Sequence, residues 1–167
     1  MNRATRRITM SGLFTAAGIL LPVLFHAIGL GPVFLPMFWP VAISGFFLTP
    51  FFGFCVGIAT PVLSFFFTGM PPVPILYKMI IELAVLAGAI SFFARRRRDA
   101  IVVPLVLGVM ISLAAGMAGS YLISMMLNIP AGLYALSSIV GSLPGIAVML
   151  IIIPVIVKKL DLSMRER

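Results

Sequence analysis

The sequence is short of charge over long stretches. Between Ile8 and Tyr77 there is no Lys, Arg, Asp or Glu, and between Ala100 and Val157 there is again none. Charged residues make up 10% of the 167 positions, while 62% are hydrophobic. Soluble domains carry about 25% charged residues, so a water-soluble fold is excluded. Acids are the scarcest class, with Asp and Glu at 4 against Lys and Arg at 12. The single cysteine, Cys55, and the single histidine, His26, leave no internal disulfide and no Cys/His metal cluster. A Gly-rich phosphate loop followed by Lys-Ser/Thr is missing, and so is a base beside a nucleophile. No enzyme activity, catalytic residue, cofactor or metal is therefore expected. Without an ATP site, active transport would draw its energy from a partner or an ion gradient.

What the chain has instead is apolar length. A spanning helix needs roughly 20 apolar residues. By that measure the first uncharged block holds about three spans, the second about two, and the segment between them one more. The first stretch follows Arg3, Arg6 and Arg7 as a cleaved leader would. It runs to about residue 28, too long for an h-region, and lacks a small-residue cleavage site, so it reads as a span.

The net charge of +8 does not point to nucleic acid, because no basic face with interleaved aromatics exists. The basic residues cluster at Arg3/Arg6/Arg7, Arg95 to Arg98, and Lys158/Lys159 with Arg165 and Arg167. Such clusters mark the cytoplasmic side and meet anionic lipid headgroups. With all three inside, an even number of spans separates each pair. The stretch from Phe34 to Thr68 must then cross twice, with Thr49-Pro50 as the break, because proline disfavours helix in the residue before it. The expected fold is all-α: a polytopic membrane protein of six transmembrane helices, N-in/C-in. It forms one membrane domain over 1–167, with spans at about 8–28, 34–48, 51–68, 75–94, 100–127 and 132–157. The external connections, 29–33, 69–74 and 128–131, are short and rich in Gly and Pro, as stiff caps over a cavity would be.

Charges within a span are costly and therefore draw attention. Lys78 and Glu82 share a face of the fourth span and can pair. They read as a self-neutralising pair that docks the helix or as a polar anchor for a ligand arriving from outside, and less readily as a proton relay, since the spans hold no further carboxylate to pass a proton along. His26 is either an interfacial residue or a ligand group. Trp39 and Tyr77 suit an interfacial aromatic belt or an aromatic wall for a flat ligand. Ser120, Tyr121, Ser124 and Asn128 line the outer part of the fifth span, with Tyr134, Ser137 and Ser138 on the sixth, where Ser and Tyr often only join helices. Gly12 and Ala16, near Ser11 and Thr15, give the first span a small-xxx-small face that permits close helix contact.

Several motifs occur together: Phe34-Leu-Pro-Met-Phe-Trp-Pro-Val41, Gly45, Thr49-Pro50, Gly53, Gly57, Thr60-Pro61, Thr68-Gly-Met-Pro-Pro72 with Glu82, and Leu143-Pro-Gly-Ile146 to Ile153-Pro154. The chain in this respect resembles the substrate-specific (S) components of energy-coupling factor transporters over nearly its whole length. The resemblance implies a membrane subunit that captures a vitamin-like molecule or other micronutrient. It would pass it inward with a transmembrane coupling subunit and two cytoplasmic ATPases, in a prokaryotic plasma membrane. It also implies that Gly12 and Ala16 meet the coupling subunit. The substrate would sit near the fourth to sixth helices under the external loops, among Phe38, Trp39, Tyr77, Lys78, Glu82, Ser120, Tyr121 and Asn128. The related pattern carries histidine where Phe38 or Trp39 stands, and polar residues near Ser120 and at Met149. The implied pocket is thus less polar, while Lys78 would favour an anionic ligand. Two other classes stay open. A stand-alone secondary transporter or channel would need a polar conducting path, and a membrane scaffold would have a filled bundle with no external cavity.

Overall fold

The computed structural model describes residues 2–27, 29, 31–96, 100–127 and 131–165. Among these the chain forms seven helices and no strand: α1 (Arg3–Ala27), α2 (Gly31–Phe34), α3 (Phe38–Phe47), α4 (Pro50–Thr68), α5 (Val73–Arg96), α6 (Val102–Leu127) and α7 (Ala131–Arg165). Stretches within α1, α4, α5, α6 and α7 are long and apolar enough to cross a membrane. The fold is that of an all-α polytopic membrane protein.

The segment expected as a span over 34–48 has a different local form. It opens on Phe34, the last residue of a single turn, α2, that otherwise lies in the expected connection, and continues as a link over 35–37 and the ten-residue α3. At 1.5 Å per residue α3 is about 15 Å long, half of a hydrocarbon core of about 30 Å. Its ring contacts show how much depth the whole segment covers. Trp39 meets Phe25 edge-on at 6.1 Å, and Phe47 stacks on Phe14 at 6.2 Å, about three turns back along α1. At its end the Ser91 hydroxyl donates to the Leu48 carbonyl at 2.6 Å, one turn short of Arg95. Met37 and Phe38 share a cavity wall with Ile75 and Met79, so the link and α3 run from the N-terminal end of α5 to its basic end.

The Thr49-Pro50 break separates α3 from α4. Thr49 is extended (φ −74°, ψ 159°) and Pro50 occupies the first turn of α4, where its missing N–H costs nothing. Gly53 N–H reaches back to the Thr49 carbonyl at 2.8 Å.

The central element is α5, and three helices bring glycines to it. A Cβ on Gly45 of α3 would lie 2.8 Å from Ile90, and one on Gly53 of α4 would lie 3.1 Å from the Ala87 carbonyl. Gly57 of α4 faces the backbone of Leu83 and Ala84, while on α6 Gly108 faces Ile90 and Gly116 faces the Glu82 carboxylate. In lipid there is no hydrophobic force between helices, so close backbone approach through small residues is what packs them. Leu83, Leu86, Ala87, Ile90 and Leu105 are fully buried at these seams. Outside the seams, Phe51, Phe66, Phe67, Met110 and Ile151 face outward, as lipid-facing side chains do.

Candidate functional site

The motif Thr68-Gly-Met-Pro-Pro72 builds one wall of a cavity. The Thr68 hydroxyl donates to the Ser64 carbonyl at 2.7 Å and accepts from the Met70 N–H at 3.3 Å. Gly69 ends α4 in the left-handed region (φ +70°), with its N–H on the Phe65 carbonyl at 2.9 Å. A glycine is favoured there because the conformation crowds a Cβ. The Met70-Pro71 bond is cis. The Pro72 carbonyl then accepts from Ile75 and Leu76 N–H at 2.9 and 3.0 Å, starting α5. The motif is thus a compact helix-to-helix corner.

The facing wall comes from the α1–α3 connection. The His26 carbonyl accepts from Gly29 N–H at 3.0 Å, and Gly29 is left-handed (φ +74°). Leu35 is also left-handed (φ +48°), a conformation costly for a branched side chain. Its carbonyl receives the Phe38 N–H at 2.9 Å, starting α3. Trp39 fixes the link by donating its indole N–H to the Phe34 carbonyl at 3.0 Å.

Between the walls lies a cavity of about 450 Å³, within the range of small-molecule sites. Pro22, Val23 and His26 of α1 line it, with Gly31, Leu35, Pro36, Met37 and Phe38 of the connection. Ser64, Thr68, Met70, Pro71 and Pro72 close the α4 side, and Ile75 and Met79 the α5 side. This is the end of the bundle away from Arg95 and Arg96. A second hollow of about 400 Å³ lies at that basic end against Phe93, Arg96, Val103 and Leu107.

Of the residues expected to touch substrate, Phe38 lines the cavity. Lys78 and Glu82 form an ion pair at 3.4 Å, both largely buried. They lie beside the Ile75–Met79 face of α5, and Glu82 abuts Gly116 of α6. Tyr77 points away and is 52% exposed, and Tyr121 is 59% exposed. Trp39 is half-buried, its ring against Phe25 of α1. Ser120 is buried, and its hydroxyl has no hydrogen-bond partner among the described residues. Ser124 donates to the Tyr121 carbonyl at 2.7 Å. Asn128 lies outside the described residues, as do the side chains of Tyr134, Ser137 and Ser138. Met149 is buried in the core. The structure thus joins Lys78 to Glu82 and puts Phe38 in the cavity, while Tyr77 and Tyr121 face outward.

Sequence reasoning passed over Met37, Ser64, Thr68 and Met79 as cavity residues. The usable signal was the Ser64–Thr68 spacing just before Gly69, which puts two hydroxyl residues on one face at the end of a helix. His26 was visible as a candidate and stands in the cavity wall. Gly12 and Ala16 are exposed on α1, and a Cβ at Gly12 would meet nothing within 4 Å. Gly18, by contrast, packs on Thr60 of α4 at 2.5 Å from an added Cβ. α1 is also the least buried of the five candidate spans.

Comparison with curated proteins and with solved structures returns no match. A family model, described as the substrate-specific component of ECF transporters, matches residues 6–159. That match covers nearly the whole chain, and the chain belongs to the family of substrate-specific components of ECF transporters.

Proposed function

We propose that this chain captures a vitamin-like or other small organic micronutrient in the cavity beneath the 29–37 and 69–72 segments. It then releases the molecule inward as part of a complex with a transmembrane coupling subunit and two cytoplasmic ATPases. The carrying observation is the 450 Å³ cavity at the end of the bundle opposite the basic clusters, which puts it on the outer side by the positive-inside rule. A prokaryotic plasma membrane with both chain ends inside fits this arrangement. Phe38 and His26 belong to the ligand wall in this reading. Lys78 and Glu82 flank it and hold α5 to α6.

The exposed face of α1 is the proposed contact with the coupling subunit. Gly12 and Ala16 are not used in packing this bundle, and Leu13 and Leu20 flank them in the open. A small face left unfilled within one bundle suits close approach by another helix. Gly12→Leu with Ala16→Leu is expected to abolish recovery of partner subunits on a tagged chain purified from its native membrane. The melting temperature of the isolated chain should stay within a few degrees of the unsubstituted one, since neither site is packed. Unchanged partner recovery would remove α1 from the interface.

A further inference from the structure

We infer that the captured molecule is uncharged: a compact, largely apolar organic ligand whose single polar edge is read by the imidazole of His26. This deepens the capture reading above and rests on the cavity being the capture site.

Among the described residues the wall is built mainly from proline, methionine, leucine, isoleucine and phenylalanine side chains, with His26, Ser64 and Thr68 as its polar ones. Thr68 is engaged locally, donating to the Ser64 carbonyl and accepting from Met70 N–H. Among the described lining residues there is no Lys, Arg, Asp or Glu. The charges on the neighbouring face of α5, Lys78 and Glu82, are 3.4 Å apart and neutralise each other. A charged ligand entering this wall would give up water and find no fixed opposite charge among its described residues, which disfavours it. A neutral ligand avoids that cost and gains from the apolar lining.

His26 is positioned for recognition. It lies one turn beyond Pro22 on α1, so both face the cavity. Its ring rests on Gly31, where an added Cβ would lie 2.6 Å from both Cε1 and Nδ1. The absence of a side chain at 31 therefore sets the place of the imidazole. An imidazole offers a donor and an acceptor, enough to orient a ligand that otherwise makes only apolar contacts. The volume admits two fused rings, and the unbranched methionines Met37 and Met79 can adapt to their outline.

The test uses the full chain in lipid nanodiscs, with empty nanodiscs as background. Three probes of one shape are compared by equilibrium dialysis near neutral pH: quinoline (neutral), quinoline-2-carboxylate (anionic) and N-methylquinolinium (cationic). Saturable quinoline binding is expected, about tenfold or more tighter than either charged analogue. His26→Phe should weaken it about tenfold, and Gly31→Ala, which displaces the ring, should do the same. His26→Gln, which keeps hydrogen-bonding capacity, should retain most of the affinity. Equal or tighter binding of either charged probe overturns the inference. So does the absence of saturable quinoline binding, or affinity indifferent to both His26→Phe and Gly31→Ala. The comparison of probes on the unsubstituted chain stands even where a variant fails to fold. Partner recovery by the tagged chain separates the two readings: charged-probe preference with partners retained sinks this inference alone, whereas loss of partners sinks the transport reading.

Discussion

Replacing Gly57 with leucine is expected to abolish accumulation of folded protein in the membrane. A side chain at this position of α4 would fall on the Leu83 carbonyl and the Ala84 backbone of α5. Backbone atoms within a helix cannot rotate aside as a side-chain tip can, so α4 and α5 would have to separate. That would open the seam where Leu83 and Ala87 are fully buried. Overpacking of a tight core commonly costs about 1–3 kcal/mol, and a whole side chain forced between two backbones exceeds that range. Gly88→Ala is the matched control: on the same α5, its nearest neighbour would be Phe54 at 3.9 Å. It should be neutral, or stabilising by up to about 1 kcal/mol through helix propensity. Size-exclusion yield and thermal melting of the two variants check this. A well-folded Gly57→Leu protein would refute the close approach of α4 to α5.

The second large effect is at Lys78 and Glu82. Their 3.4 Å pair is largely buried, and removing one partner takes the opposite charge away from beside the other. Glu82→Gln and Lys78→Met should each destabilise by about 3–5 kcal/mol, the usual cost of breaking a buried pair. The double substitution should recover most of that loss, because no lone charge remains. It should also retain ligand, since neither residue lines the cavity. Thermal melts of the four proteins, with retained ligand counted by mass spectrometry, make up the test. A double variant that folds but no longer holds ligand would return the pair to the binding site.

The sequence disclosed the membrane architecture because its signals are local and additive. Charge-free runs give the apolar helices, and Pro50 marks the break between α3 and α4. The four-residue spacing of Lys78 and Glu82 foretells their ion pair. The form of the second segment was less legible. Phe34 to Leu48 is apolar apart from Ser44, and nothing in its composition says that Leu35 turns left-handed and shortens α3 to ten residues. The cavity was harder still. Met37, Ser64 and Met79 are ordinary membrane-helix residues, and only the folding of 69–72 over the α1–α3 connection makes them a wall. Tyr77 and Tyr121 illustrate the converse. Their chemistry suits a binding site, but helix phase turns both outward, and phase relative to neighbours is set by packing. The glycines at 108 and 116 on α6 were readable in principle, since their separation of two four-residue steps keeps them near one face. What they pack against is a tertiary fact.

The most direct test of the central claim, that this chain captures a small molecule and delivers it through partner subunits, is native mass spectrometry of the chain purified gently from its own membrane. Two features are expected in one spectrum. One is a folded chain carrying a small organic molecule that dissociates as a neutral species on activation. The other is a larger assembly whose added mass matches a membrane subunit and two ATPases. A chain that is folded, free of any small molecule and never found in a larger assembly would contradict it.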